Sequence, residues 1–206
     1  MTPRERILES AAKVFAQYGY RLASMELVAQ ECGLTRQALY HHFDSKEALF
    51  RAVVEAVHEG ALAAERAAAA REEKAGKGLA DIMVARLEAG HRYFADLLQG
   101  SAHAQELLSE HQRQTQDLVQ RFAAEKFALI VATIERVSAA NRLALRDGLT
   151  AAELARCIEL AAHGLGARKT DEAAFGDLAR SIRLLIAGAV AKAPRTVKPR
   201  ASRSRP

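Results

Sequence analysis

Between Pro3 and Pro194 the chain contains no proline, and the remaining two prolines, Pro199 and Pro206, lie beyond that span. A stretch that long without the residue that breaks helices is also rich in the residue that builds them best: 44 of the 206 residues are alanine. Alanine leads the helix scale and is a poor strand former. The fold class is therefore all-α, with about nine helices. A β-sandwich, a barrel or a wound α/β sheet is excluded.

Cys32 and Cys157 are the only cysteines, which is too few for a disulfide framework or a four-cysteine zinc site. No apolar run approaches the ~18 residues of a membrane span, and the first residues lack a signal-peptide core. The expectation is a cytoplasmic protein. The net charge of +5 is unevenly held. Lys192, Arg195, Lys198, Arg200, Arg203 and Arg205 supply six positive charges to residues 192–206, which contain no acid. Residues 1–191 are thus left slightly negative, and residues 1–50 balance six cations against six anions. Bulk charge alone does not mark the body of the protein as a nucleic-acid binder.

Helix starts are legible from caps. Thr2-Pro3-Arg4-Glu5 is a capping box with proline in the first turn. Ile7, Ala11, Val14 and Phe15 follow at helical spacing, and Gly19 ends that run. Ser24 caps a short helix to about Cys32, stopped by Gly33. Thr35 caps another to about His42, and Ser45 opens a long one to about Glu73. Residues 74–78 read as a loop. Helices are then expected over about 79–98, 102–110, 112–144, from the capping box Thr150–Glu153 to about Leu165, and over 172–191. Three domains result: 1–48, 49–192, and a basic, disordered tail over 193–206.

Chemistry concentrates in residues 24–46, SMELVAQECGLTRQALYHHFDSK. Ala29, Gly33 and Leu39 stand at helix-turn-helix spacing: a small residue where two helices approach, a glycine for the turn, an apolar residue packing back. On the second short helix Leu39 and Phe43 share the inward side. Arg36, Gln37, Tyr40 and His41 share the opposite one, which has long hydrogen-bonding side chains and no acid. Such a helix suits the major groove of DNA, with its first residues at base edges.

Arg4 to Phe50 resembles the N-terminal domain of TetR-type transcriptional regulators. The resemblance is carried by Ile7-Leu8, Ala11-Ala12, Phe15, Gly19-Tyr20, Ser24-Met25, Val28-Ala29, Gly33-Leu34-Thr35, Leu39-Tyr40, His42-Phe43 and Ser45 to Phe50. It implies a homodimer that binds double-stranded operator DNA, is released by a small effector held in the C-terminal bundle, and pairs through its last two helices. By position it assigns DNA contacts to Thr35, Arg36, Gln37, Tyr40 and His41, and phosphate contacts to Tyr40, Lys46 and the backbone amides near Ser24 and Met25. Arg36 is suited to guanine and Gln37 to adenine. Phe43 belongs to the core; His42 is either near a phosphate or buried and hydrogen-bonded.

A rival pattern is present. Glu55-Ala-Val-His58 and Glu88-Ala-Gly-His91 are both E-x-x-H, the helical unit of di-iron carboxylate bundles. The apolar side of the first helix runs through Leu49, Val53 and Val57, so Glu55 and His58 are expected to point elsewhere. No metal, cofactor or catalytic residue is assigned, and the chain is not read as an enzyme. For the effector pocket the candidates are His91, Phe94, His103, Phe122, Phe127 and His163, joined by Tyr93, in an apolar cavity favouring a lipophilic molecule. For pairing, the stripes Leu154, Ile158, Ala161, Leu165 and Leu178, Ile182, Leu185, Ala189 are the expected contact, the alternative being that they only face their own core. The reading is a TetR-like repressor released from a palindromic operator by such an effector. The alternative is a ligand- or metal-binding helical bundle with no DNA role.

Overall fold

The computed structural model describes residues 2–166 and 172–192; the expected tail over 193–206 lies outside them, apart from which every expected helix is represented. Among the described residues there are nine α-helices: α1 (Pro3–Leu22), α2 (Met25–Cys32), α3 (Arg36–Tyr40), α4 (Lys46–Lys74), α5 (Leu79–Leu98), α6 (Ala104–Gln114), α7 (Gln116–Asn141), α8 (Ala151–Gly166) and α9 (Glu172–Ala189). No helix among them is long and apolar enough to cross a membrane.

Local chemistry sets the starts. The Thr2 hydroxyl accepts from the Glu5 amide while the Glu5 carboxylate accepts from the Thr2 amide. Ser24, Thr35 and Ser45 accept in the same way from Leu27, Ala38 and Ala48, and Thr150 and Glu153 form the second reciprocal box. These bonds satisfy amides that have no partner inside the helix. Gly19 breaks α1 with φ 72° and ψ 170°, so that its final turn sets off in a new direction.

Two cores result. One gathers α1, α2, α3 and the first half of α4, and continues without interruption into Leu107 of α6 and Leu118 and Phe122 of α7. The other joins the far end of α4 to α5, α7, α8 and α9. Between them a charged cluster is buried. Glu65 and Arg86 are 2% and 1% exposed. Arg86 Nε donates to Glu65 Oε2 at 3.2 Å, and its Nη1 donates to the Leu129 carbonyl and the Thr133 hydroxyl at 3.0 and 2.8 Å. Lys126 Nζ reaches Glu65 Oε1 at 3.1 Å. One carboxylate thereby ties α4, α5 and α7. Gly90 of α5 lies directly on it: a Cβ there would overlap the Glu65 carboxylate.

Three expectations need correction. The break between α6 and α7 falls at Thr115, not before residue 112. The Thr115 hydroxyl is fully buried and donates to the His111 carbonyl at 2.6 Å, which closes α6 from within. Helix α7 ends at Asn141, not 144, because Arg142 takes a left-handed φ of 52°. Residues Leu143–Leu145 then form a strand, β1, paired antiparallel with β2 (Val190–Lys192), so the last helix stops at Ala189. Leu143, Leu145 and Val190 pack on the second core, which a helical continuation would not allow them all to do.

The third correction concerns pairing. Leu154, Ile158, Leu178 and Ile182 are at most 6% exposed. Those four face the protein's own core, whereas Leu185 of the same expected stripe is exposed; the Leu165 side chain lies outside the described residues. The outward faces of α8 and α9 instead present Leu160 and Leu184, each 68% exposed.

Candidate nucleic-acid interface and candidate effector cavity

The α2–turn–α3 unit is built by the residues that predict it. Gly33 adopts φ 67° and ψ 29°, the left-handed conformation that costs a glycine least. Its amide donates to Gln30 and that of Leu34 to Ala29, at 3.1 and 2.8 Å, a paired closure that turns the chain sharply off α2. Ala29 is buried where the helices meet, and Leu39 is fully buried beneath α3. With Leu39 anchored inward, Thr35, Arg36, Gln37, Tyr40 and His41 are all exposed. The Arg36 guanidinium lies over the Tyr40 ring at 5.5 Å, so the two side chains stand together rather than splay. His42 is exposed and Phe43 buried, which removes the buried reading of His42.

Lys46 is more constrained than its sequence position reveals. Its ammonium donates to the carbonyls of Tyr20, Arg21 and Ala23 at 3.0, 3.4 and 3.1 Å and sits 4.6 Å from the Tyr20 ring centre. It therefore fixes the end of α1 against the start of α4. A cleft of about 280 Å³ opens beside it, lined by Ala23, Ser24, Met25, Glu26, Arg36, Tyr40 and Lys46. Met25 is buried at the back of this cleft. Arg36 and Lys46 thus share one opening with the Glu26 carboxylate at the start of α2.

The head is joined to the rest by more than α4. The Arg21 amide donates to Glu106 Oε1 at 2.8 Å, and the Ser101 hydroxyl to the Ala16 carbonyl at 2.6 Å, which tie α1 to the start of α6. Arg51 of α4 grips Asp117 with both terminal nitrogens, at 3.0 and 2.7 Å, and the Gln114 carbonyl at 2.6 Å. That guanidinium holds the Asp117 carboxyl down at about 2.

Of the expected effector residues, the structure brings Phe94, Phe122 and His163 to one cavity of about 200 Å³, also lined by Glu65, Lys126 and Glu159. The others stand elsewhere. His91 stacks on Phe175 with ring centres 6.0 Å apart. His103 precedes α6 and contacts Glu106 at 3.4 Å. Phe127 lies under Arg156, and Tyr93 covers Gly60.

The residue that sequence reasoning misdirected is His58. It faces inward, stacked on Phe122 with ring centres 4.8 Å apart and planes 11° apart, and edge-on to Phe94 at 5.2 Å. Its Nε2 is buried and makes no hydrogen bond among the described residues. Burial, aided by His111, Lys126 and Arg121, pulls its pKa down to about 4. The unfolded chain therefore binds a proton that the folded one refuses between the ordinary value of 6.5 and about 4, and stability falls as pH falls through that window. His58→Phe is expected to flatten the stability–pH curve there by up to ~1.4 kcal/mol per pH unit, read from urea unfolding at a series of pH values. An unchanged slope would contradict the burial of the ring.

The E-x-x-H pair does not assemble. Glu55 is bound by Arg121 at 2.7 Å and Glu88 by Arg92 at 2.5 Å, and among the described residues no group of three or more His, Cys, Asp or Glu is placed to hold a metal.

Residues 7–53 match the family described as bacterial regulatory proteins, tetR family. Over 60 residues the chain is 43% identical to the HTH-type transcriptional regulator UidR of Escherichia coli K12, covering 29% of this chain and 31% of that protein. Over 90 residues it is 38% identical to the transcriptional repressor AcnR of Corynebacterium efficiens, covering 44% of this chain and 43% of that one. The chain thus matches less than half the length of either relative. The solved structure of GusR from Salmonella enterica shares the fold along most of both chains, 91% of this one and 95% of that one, with TM-score 0.63 and 24% identity.

Proposed function

We propose that this chain, whose residues 7–53 match the family described as bacterial regulatory proteins, tetR family, is a cytoplasmic, dimeric transcriptional repressor, without catalytic activity, that leaves a palindromic operator when it binds a small molecule. Residues 1–48 read DNA and residues 49–192 bind the effector and pair. One observation carries the reading: the exposed face of α3, free of acids and carrying Arg36, Gln37, Tyr40 and His41, stands over a fully buried Leu39.

In this reading Arg36 and Gln37 meet base edges, and Thr35, Tyr40 and His41 complete the contact. Phosphates lie in the cleft beside Ser24, Met25 and Lys46. Two such heads must stand ~34–36 Å apart on the duplex. An effector acts only through its differential affinity for dimers with the heads in and out of that spacing. The joint it works on comprises α4 and also the α1–α6 contact through Glu106 and Ser101.

A mobility-shift titration with the protein's own upstream DNA tests the proposal. Arg36→Ala is expected to relax preference at one base pair per half-site by ~5–100-fold and to leave the other positions alone; equal losses at every position would remove its base-reading role. Absence of any sequence-preferring complex would return the chain to the alternative, a helical bundle that binds a ligand or metal with no DNA role.

A further inference from the structure

We infer that the two cavities on either side of His58 are the two ends of one effector site, that its ligand is a small, uncharged, amphipathic molecule, and that the ligand's apolar end lodges directly against α1 of the DNA-binding head. The inference rests on the regulator reading above and deepens it.

His58 and Phe94 line both cavities. On one side is a slot of about 80 Å³ walled by Ala12, Phe15 and Ala16 of α1, Val54 of α4, Leu98 of α5 and Leu107 of α6. Apart from the rings of His58 and His111 every side chain of that slot is apolar. On the other side is the cavity of about 200 Å³ that holds Glu65, Lys126, Glu159 and His163. The occupant of both must be apolar at one end and polar at the other.

Charge decides what the polar end is. The Lys126 ammonium is already paired with Glu65, and Glu159 places a second carboxyl in the same cavity. Burial raises the Glu159 pKa, so this site already resists one negative charge. An anion would meet Glu65 and Glu159; a cation would meet Lys126 with Arg86 behind it. A hydroxyl meets donors and acceptors without that penalty. It also answers His58 Nε2, a buried ring nitrogen with no partner among the described residues.

The apolar end has a mechanical consequence. The slot lies where α1 and α6 are held together by the Ser101–Ala16 and Glu106–Arg21 bonds. A group wedged there pushes on the head itself, and the signal does not depend on α4 alone.

Three probes of nearly equal size test this on the full chain by calorimetric titration without DNA: 2-phenylethanol, phenylacetate and 2-phenylethylammonium. The alcohol is expected to bind saturably with a Kd of ~1 mM, and each ion at least tenfold more weakly. Ala12→Leu, which fills the slot from α1, should weaken the alcohol at least tenfold, and His58→Phe about fivefold. Ala16→Leu serves the same purpose if Ala12→Leu does not fold. No saturable binding of the alcohol, an ion that binds as tightly, or unchanged affinity in folded slot variants would overturn the inference. In a mobility shift, saturating alcohol should release the operator from the wild type; retention would overturn the contact with the head. A wild type that binds no DNA at all would instead defeat the regulator reading, while the calorimetry would still decide the cavity.

Discussion

Glu65→Leu is expected to destabilise the protein by ~3–5 kcal/mol, measured by urea unfolding at neutral pH. The size follows from what the substitution leaves behind. Arg86 is 1% exposed, and among the described residues Glu65 is its only anionic partner. The Leu129 carbonyl and Thr133 hydroxyl still accept from Nη1, but neither carries a charge. Burial already pulls the Arg86 pKa down, against the Glu65 carboxylate that holds it up. Taking the carboxylate away leaves an uncompensated cation between two cores. The double variant Glu65→Leu with Arg86→Leu removes both charges and should recover most of the loss, because a buried pair is worth far less than either half alone is harmful. If the single variant were as stable as the wild type, water would have to reach Arg86, and the packing of Gly90 against Glu65 would be wrong. The cluster also has a bearing on binding. Glu65 holds Lys126 in the polar cavity, so the single variant frees a cation there and should improve the binding of phenylacetate relative to the alcohol.

How much of this could be read from the chain depends on how local the physics is. The caps at Thr2, Ser24, Thr35, Ser45 and Thr150 act within three residues, and each appears where the sequence places it. The helix-turn-helix is equally local: Ala29, Gly33 and Leu39 suffice to orient Arg36 to His41 outward. His58 is a different case. Helix α4 spans 29 residues, and its inward direction changes along its length. Leu49 and Val53 belong to the head core, whereas His58 turns toward Phe94, Phe122 and His111. One stripe drawn through Leu49, Val53 and Val57 therefore misplaces it. The charged pair leaves a trace in the sequence. Glu65 lies at helical spacing among Ala61, Leu62, Ala68 and Ala69, and Arg86 among Ile82, Met83 and Leu87, all buried. Opposite charges set into two apolar stripes are a signal of burial in pairs. The β1–β2 pairing joins residues more than forty positions apart, and nothing at either segment alone announces it.

In the proposed dimer, replacing Leu160 and Leu184 together by Glu should give a monomer and lower operator affinity by ~10²–10⁴-fold. Both leucines are 68% exposed, on the outward faces of adjacent helices α8 and α9. The proposed pairing surface lies on these exposed leucines, because a symmetric pair places the same two helices opposite themselves. Four glutamates brought together there would repel, whereas in the monomer each would simply be solvated. Stability of the single chain should therefore change little, since neither leucine contributes to the second core, which is built from Leu154, Ile158, Leu178 and Ile182. The loss of DNA affinity follows from arithmetic. One head on one half-site keeps its own contacts to bases and phosphates, but the second head is no longer delivered at high effective concentration. Sedimentation fixes the oligomeric state, circular dichroism checks the fold, and a mobility shift on full and half operators separates the two effects. Binding to an isolated half-site should be nearly unchanged. A variant that stays dimeric would move the pairing surface away from α8 and α9, and a monomer that keeps full affinity for the whole operator would show that the two heads never acted together.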